Sequence, residues 1–220
     1  MAYQLVIGNK NYSSWSMRPW VLMTHFGIPF EEIRIPLYTP AWREQIRTVS
    51  PTGKVPCLIY GTTTVWDSLA IAETLHERHP TLGLYPADPA SRALARSVSA
   101  EMHSGFSTIR AQMSMNIRLA VVHSMASEVL RSEVERVKEI FATCLAQSGG
   151  PYLFGQFSVA DAMYAPIVMR FRSYGVPLDS PCDAYRETIV RNPAVSRWIS
   201  EALAETETIP DYEAASRMYL

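Results

Sequence analysis

The hydrophobic pattern of the first forty residues changes twice. Residues 3–8 form a short apolar segment typical of a strand, and residues 16–26 place apolar side chains at helical spacing until Gly27 ends the pattern. Residues 30–37 alternate in part between apolar and charged positions, which predicts a second strand. The order of strand, helix and strand predicts a βαβ unit in which the two strands run parallel.

The next forty residues predict two further strands and a closing helix. A short helical turn at residues 42–48 precedes two strand-like segments, residues 55–60 and 62–66, which meet at Gly61. Residues 69–79 then return to a helical period. Together with the βαβ unit, these elements predict a small four-stranded α/β domain.

A proline-rich segment divides the chain. Residues 80–89 contain three prolines and a glycine, and from residue 90 to about residue 203 the pattern is helical. We therefore expect an α/β domain over residues 1–80 and an all-helical domain over residues 90–220.

The helical half contains two long amphipathic segments and one apolar segment. Residues 93–118 and 124–147 each predict one long helix. Ser158 and Asp161 have the spacing of a capping box, which stabilises a helix start by ~1 kcal/mol. Residues 162–171 are apolar on nearly all sides, which predicts a central helix surrounded by others.

Composition narrows the classes of partner. The 220 residues are 48% apolar, enough for a sizeable core, and 20 basic against 21 acidic residues give a net charge of −1. We therefore expect neither a nucleic-acid nor a membrane partner. Three cysteines without a CxxC pair favour a reducing compartment, and the first apolar segment is too short for a secretion signal, so we expect a cytoplasmic protein.

Three short motifs carry the candidate chemistry. Hydroxyl groups cluster at residues 13–18, where the first helix begins, and a proline heads a strand within residues 54–56. An acid and a serine begin another helix within residues 66–68. Helix starts with hydroxyl and acidic groups suit the charged ends and the sulfur of a small zwitterionic thiol.

These motifs, with the proline-rich linker and the capping box, resemble the glutathione transferases over essentially the whole chain. Residues 13–18 look most like the zeta-class motif Ser-Ser-Cys-Ser-x-Arg, with Trp15 in place of the cysteine. Ser173 stands where zeta enzymes carry a substrate-orienting arginine, and Arg170 and Arg172 lie nearby. The resemblance implies a thioredoxin-like domain followed by an all-α domain, glutathione as co-substrate, and a homodimer.

The resemblance implies that Ser13 or Ser14 activates the glutathione thiol. A thiol with a pKa near ~8.5 is only about 3% thiolate at pH 7, and lowering its pKa by about two units takes ~2.7 kcal/mol. A hydroxyl donor contributes ~1.5–3 kcal/mol and a helix start ~0.3–2 kcal/mol, so no general base is needed. The zeta pattern favours Ser13, whereas a spacing of four residues to Arg18 favours Ser14. Simple helix capping is the alternative for both serines.

The resemblance also implies how the tripeptide is held. In the family the bond at Val55–Pro56 is cis, and the backbone of the residue before the proline pairs with glutathione like an added strand. Asp67 suits the γ-glutamyl ammonium and Ser68 its carboxylate, although both also suit a helix cap. Lys54 is a candidate for the glycyl carboxylate. The candidate glutathione-binding residues are Trp15, Lys54, Val55, Pro56, Asp67 and Ser68.

A pocket for a small hydrophobic electrophile is expected against the helical half. Its candidates share positions near the thiol motif or along the first long helix, where core packing is the alternative: Tyr12, Met102, Phe106, Arg110, Met113 and Tyr164. The histidines lack a matching set of ligands, so we expect no metal.

Three functions remain open at this level. The first is a glutathione transferase, the second a zeta-like isomerase of the maleylacetoacetate type, and the third a non-catalytic glutathione-binding or scaffold protein. The tail of residues 209–220, with Tyr212 and Tyr219, has no assigned role.

Overall fold

A computed structural model describes residues 2–215 and residue 218. The first part of the chain, which we call the sheet domain, alternates strands and helices in the order β1 (Tyr3–Ile7), α1 (Ser14–His25), β2 (Phe30–Arg34), α2 (Trp42–Val49), β3 (Cys57–Tyr60), β4 (Thr63–Trp66) and α3 (Ser68–Arg78). The strands form one sheet in the order β2-β1-β3-β4. β1 runs parallel to β2 and antiparallel to β3, which confirms the predicted βαβ unit and hairpin.

β1, one of the two inner strands, is buried on both faces of the sheet. Leu5 and Ile7 point into the main core, and Val6 points to the opposite face, where it packs with Ile46 of α2 and Cys57 of β3. This alternation follows from the two-residue repeat of a strand. The loop that follows β1 lies at the carboxyl end of this strand, where the chain turns into α1.

The helical domain contains the remaining helices. They are α4 (Pro89–Ser104), α5 (Ser107–Gln112), α6 (Glu128–Ser148), α7 (Val159–Ser173), α8 (Ser180–Arg191), α9 (Pro193–Ala204) and α10 (Pro210–Ala215). α7 is buried along almost its whole length and packs against α4 and α8 of its own domain and α1 of the sheet domain. The apolar segment therefore forms the predicted central helix.

The start of α7 is fixed by the predicted capping box. Asp161 Oδ2 accepts hydrogen bonds from the Ser158 backbone N–H at 2.9 Å and the Ser158 hydroxyl at 3.0 Å. The other carboxylate oxygen accepts from the Leu153 N–H and the Tyr185 hydroxyl. Burial raises the pKa of Asp161 to about 6, even though these donors favour the charged form.

The single helix expected over residues 93–118 is two helices. α4 ends at Ser104, and α5 begins only after Phe106, which adopts a left-handed backbone conformation with φ 57°. A Cβ on Gly105 would lie 2.8 Å from the Glu101 carbonyl oxygen, so the ending of α4 requires glycine there. Glu133 of α6 accepts the N–H groups of Thr108 and Ile109 and so caps α5 from another helix.

Among the described residues, none of the helices combines the length and the apolar character needed to cross a bilayer.

Candidate active site

The loop that carries the two candidate serines is fixed by the helical domain. Glu205 accepts the backbone N–H groups of Lys10 at 2.7 Å and Asn11 at 3.0 Å. The Lys10 ammonium is buried, pairs with Glu32 and Glu201, and faces the rings of two tryptophans. The start of α1 is therefore held in place by contacts from both domains.

The two serines make different hydrogen bonds. The Ser13 hydroxyl donates to the Ser16 Oγ at 2.7 Å, and the Gly8 N–H donates to that same oxygen. Ser14, the first residue of α1, instead accepts a hydrogen bond from the Arg170 Nη2 at 3.2 Å. The Ser13 proton is thus used inside the loop, whereas the Ser14 hydroxyl donates to no acceptor among the described residues.

Both serines line a cavity of about 560 Å³ between the domains, which we call the serine end. Its other walls are apolar and aromatic side chains, from Leu37, Tyr38, Trp42, Met115 and Tyr212, and three cations, Lys54, Arg110 and Arg170. None of its described lining residues is acidic. The cavity therefore combines an apolar wall with a positive charge near a free hydroxyl.

A second cavity of about 390 Å³, which we call the acid end, continues from the first. Asp67, Ser68 and His103 line it, and Trp15, Lys54 and Val55 line both cavities, although Lys54 also faces solvent. Because the two cavities share these walls, they form one cleft along the edge of the sheet. Residues of all three sequence motifs line this cleft.

The acid end is built on the start of α3. Asp67 is the N-cap, and its side chain accepts the Leu69 N–H at 2.8 Å while its other oxygen lies 3.2 Å from the His103 Nε2. Its backbone has φ 77°, a conformation that is strained for a residue with a side chain. Val55–Pro56, on the opposite wall, is cis as the resemblance implied.

Two buried arginines border the cleft. Arg18 donates to the Ser68 Oγ at 3.4 Å, and its Nε has no partner among the described residues. Burial, followed by repulsion from Arg170 and Arg110, lowers the pKa of Arg18 to about 9. Burial and Arg110 lower the pKa of Arg170 to about 10. Both arginines stay charged at neutral pH, so the cleft has a positive potential.

Trp15 divides the cleft at the position where the zeta motif has cysteine. Its ring lies between two arginines, with the Arg18 guanidinium carbon 4.1 Å and the Arg110 guanidinium carbon 5.5 Å from the ring centroid. Its ring also makes a T-shaped contact with the ring of His103, with the centroids 5.3 Å apart. Trp15 therefore shapes both cavities and contacts two of the cations that surround them.

Four residues expected in the pocket are core residues. Met102, Phe106, Met113 and Tyr164 are buried in the hydrophobic core and do not line either cavity. The Tyr164 hydroxyl donates to the Val98 carbonyl, which fixes it inside the helical domain. Helical spacing had placed these side chains on an inward face, but the neighbouring helices cover that face.

Tyr12 and Arg110 line the serine end. The Tyr12 hydroxyl is engaged, because it donates to Glu213 of α10 at 2.6 Å and accepts from Arg118 at 2.8 Å. Burial and the neighbouring carboxylate raise its pKa, so it is a poor acid at neutral pH. Tyr212 of α10 also lines the cavity, whereas Tyr219 lies outside the described residues.

Sequence reasoning missed several residues of the cleft. Tyr38 and Trp42 lie in and just after the irregular connection that follows β2, and His103 comes from the last turn of α4. Arg170 had a signal, because it is the one charged residue within the buried segment 162–171, and a buried charge needs a compensating partner or a function. No group of three or more His, Cys, Asp or Glu side chains suited to a metal ion occurs among the described residues.

Comparison with known families covers both domains. Residues 12–78 match the family model of the glutathione S-transferase N-terminal domain, and residues 93–201 match that of the C-terminal domain. The maleylacetoacetate isomerase of Rattus norvegicus is 30% identical to the chain over 172 residues. The matched segment covers 76% of this chain and 77% of that relative.

Solved structures share the architecture. A glutathione transferase homologue from Burkholderia GL BGR1, with bound glutathione, has a TM-score of 0.73 at 24% identity and covers 93% of this chain and 100% of its own. A bacterial maleyl pyruvate isomerase, a zeta-class glutathione S-transferase, has a TM-score of 0.70 at 22% identity and covers 94% and 100%. These likenesses confirm the predicted fold, a thioredoxin-like domain followed by an all-helical one.

Proposed function

Because the chain belongs to the glutathione transferase family, we propose that it binds glutathione along the cleft and activates the thiol for attack on a small electrophile. The observation that carries this proposal is the position of Ser14. Its hydroxyl lies at the start of α1, lines a cavity with three cations, and has its proton free. A hydroxyl donor and a helix start together supply the ~2.7 kcal/mol that lowers a thiol pKa by about two units.

The acid end holds the γ-glutamyl group of the tripeptide in this proposal. The Asp67 carboxylate pairs with the ammonium, and the Ser68 hydroxyl with the first amides of α3 takes the carboxylate, next to the buried charge of Arg18. The backbone of Val55 pairs with the cysteinyl segment, and Lys54 is positioned for the glycyl carboxylate. The sulfur then lies at the serine end.

The serine end also receives the second substrate. Its walls of Tyr38, Trp42, Met115 and Tyr212 suit a small hydrophobic electrophile beside the thiolate. The thiol proton passes to solvent water as the thiolate forms. The thiolate then attacks the electrophilic carbon, and the carbon–sulfur bond forms as the leaving group departs with its bonding electron pair. At an activated double bond, the π electron pair moves instead onto the activating group, which then takes a proton from water. In this mechanism the Ser14 hydroxyl stabilises the sulfur anion by hydrogen bonding and does not remove its proton.

A second candidate is a zeta-like isomerase, in which glutathione adds to a cis double bond and leaves after rotation. One observation favours it: the serine end is positive and lacks acidic wall residues among those described, which suits a substrate that carries carboxylates. The residue at the zeta arginine position argues against a direct copy, because Ser173 is buried and donates to the Asn116 carbonyl. An isomerase here would orient its substrate with Arg110.

The deciding experiment compares Ser14→Ala with Ser13→Ala. We expect Ser14→Ala to keep the glutathione Kd within about twofold and to lower kcat/KM about 100-fold, the size typical of a lost anion-stabilising donor. Ser13→Ala should keep kcat/KM within about threefold and lose about 1 kcal/mol of stability, because it removes a hydrogen bond internal to the loop.

Glutathione binding is measured by isothermal titration calorimetry. Turnover rates are measured with a chloronitrobenzene and with a cis-enone carboxylate as the second substrate. Turnover of the first with loss of glutathione supports a transferase, and turnover of the second without net loss supports an isomerase. Binding without turnover of either would favour the scaffold function. Equal losses in the two serine variants would contradict the role given to Ser14.

A further inference from the structure

Arg170 is the most unusual buried group near the cleft. It is the one charged residue of the buried segment 162–171 of α7, is only 4% exposed, and has no acidic partner among the described residues. Its Nε donates to the Met113 carbonyl at 2.8 Å and its Nη1 to the Pro166 carbonyl at 3.3 Å. Its Nη2 donates to the Ser14 Oγ at 3.2 Å. All three nitrogens of the guanidinium are thus hydrogen bonded, and one of the three bonds crosses the domain interface to Ser14.

The direction of the bond to Ser14 decides what that serine can do. A guanidinium only donates hydrogen bonds, so the Ser14 oxygen must accept, and the hydroxyl proton has to point elsewhere. Ser14 lines the cavity. The two carbonyl contacts of Arg170 hold the planar guanidinium in one orientation, which fixes the position from which Ser14 is contacted.

We propose that Arg170 is a positioning residue for Ser14: it holds the serine oxygen as an acceptor so that the hydroxyl proton is directed into the cavity, toward the glutathione sulfur. This inference rests on the proposed role of Ser14 and extends it to a residue of the other domain. The donation also polarises the hydroxyl and makes it a stronger donor to the thiolate. Arg170 itself does not touch the reacting atoms in this arrangement.

The charge of Arg170 acts in the same direction as its hydrogen bond. The titratable and charged groups that face it are Arg18 of α1, Arg110 of α5, Tyr174 at the end of its own helix and Tyr212 of α10, and none of them is acidic. Its positive charge is therefore not neutralised locally and favours an anion at the serine end. Placing an unpaired charge on a buried helix costs stability, which a merely structural role would not require.

The experiment measures the thiol pKa of bound glutathione from the ultraviolet absorbance of the thiolate as a function of pH. The variants are Arg170→Met, Arg170→Lys, Ser14→Ala, and the double variant of Arg170→Met with Ser14→Ala. Arg172→Met is the matched control, because Arg172 lies on the same helix and is exposed. Glutathione affinity and kcat/KM at pH 6.5 are recorded alongside.

For Arg170→Met we expect the thiol pKa to rise by about one unit and kcat/KM at pH 6.5 to fall about tenfold, with the glutathione Kd unchanged. The double variant should lose less than the sum of the two single variants, because the hydrogen-bond part of the Arg170 effect passes through that hydroxyl and only the effect of its charge remains. Arg170→Lys keeps the charge and one donor, so it should restore part of the shift and provides a second test if Arg170→Met folds poorly. Arg172→Met should resemble the wild type.

Two results would overturn the inference alone. The first is a thiol pKa equal to that of the wild type in both Arg170 variants while Ser14→Ala shifts it. The second is a double variant whose loss of kcat/KM is the full product of the losses in Ser14→Ala and Arg170→Met. If Ser14→Ala itself leaves the thiol pKa unchanged, the proposed function fails and the inference fails with it. The readout thus distinguishes the failure of Arg170 as a positioning residue from the failure of the serine mechanism.

Discussion

The starts of α1 and α3 use the same arrangement for two different purposes. In each, a serine at the first position of a helix accepts a hydrogen bond from a buried arginine, Ser14 from Arg170 and Ser68 from Arg18. The start of α3 adds the carboxylate of Asp67, whereas the walls around Ser14 include no acidic residue among those described. A helix start with an acid suits a zwitterion, and one without an acid suits a lone anion.

The two ends also differ in which elements form their walls. The serine end is covered by α10, where Glu213 accepts hydrogen bonds from Tyr12 and Asn116 and Tyr212 faces the cavity. The walls of the acid end come from the sheet domain and from His103 of α4. Under the proposed function, the walls specific to each end would therefore serve different substrates, and changes to those walls should have separate effects.

The largest effect is expected when the acid is removed from the start of α3. Asp67→Asn keeps an N-cap side chain but loses the negative charge, so the glutathione Kd should rise about 30-fold, the value of a lost charged hydrogen bond. The kcat at saturating glutathione should stay within about twofold. Titration calorimetry and steady-state rates measure both.

Glu77→Gln is the control for Asp67→Asn, because it removes an exposed acid from the same helix. It should leave the Kd unchanged. A fall in kcat at saturating glutathione in Asp67→Asn, without a change in Kd, would contradict the separation of the two ends.

A third helix start, the capping box of α7, lies away from the cleft, because neither Ser158 nor Asp161 lines either of its two cavities. Asp161→Asn should lower the free energy of unfolding by about 1–3 kcal/mol at pH 7 and leave the glutathione Kd unchanged. Asp183→Asn on α8, which pairs with Arg186 at the surface, is its control and should change stability by less than about 0.5 kcal/mol. Denaturant unfolding and calorimetry measure these quantities.

The pH dependence of Asp161→Asn has a definite sign. The pKa of Asp161 is raised to about 6 from 3.8, so the folded state binds the proton more tightly than the unfolded state. The contribution of this proton to stability is present at about pH 4 and is lost as the pH rises through 6. The gap between wild type and Asp161→Asn should therefore be about 2 kcal/mol larger at pH 4 than at pH 7, and an equal gap at both values would refute the raised pKa.

The smallest effect is expected at the cover of the serine end. Glu213→Ala removes the acceptor that holds α10 to Tyr12 and Asn116, so the KM for the electrophile should rise about threefold while the glutathione Kd stays the same. Asp211→Ala, an exposed acid on the same helix, is the control. Equal KM values for the two variants would show that the cover does not depend on this contact.

The sequence was sufficient for most of the architecture because the strands and long helices bury one regular face. It was not sufficient at Gly105, where the break depends on a close approach of Glu101 and on a cap supplied to α5 by Glu133. The cap comes from 24 and 25 positions further along the chain, which no local pattern shows. Periodicity identified the inward faces of Met102 and Tyr164 but could not show that other helices, and not a ligand, cover them.

The three site motifs were visible in the sequence because each begins a helix or a strand. The choice between Ser13 and Ser14 was not visible, since it depends on Arg170, which lies 156 positions after Ser14. A local pattern shows which groups lie at a helix start. Which of their protons is free depends on the partners that the tertiary fold brings to them.

The hydrogen bond between Arg170 and Ser14 joins the two domains at the hydroxyl that we propose activates the thiol. A hybrid made by exchanging one domain with that of a relative would therefore inherit only one member of this pair. If Ser14 and Arg170 act as proposed, recombination along the proline-rich linker should yield folded, glutathione-binding chimeras more readily than active ones, because the proposed activation needs both halves from one parent.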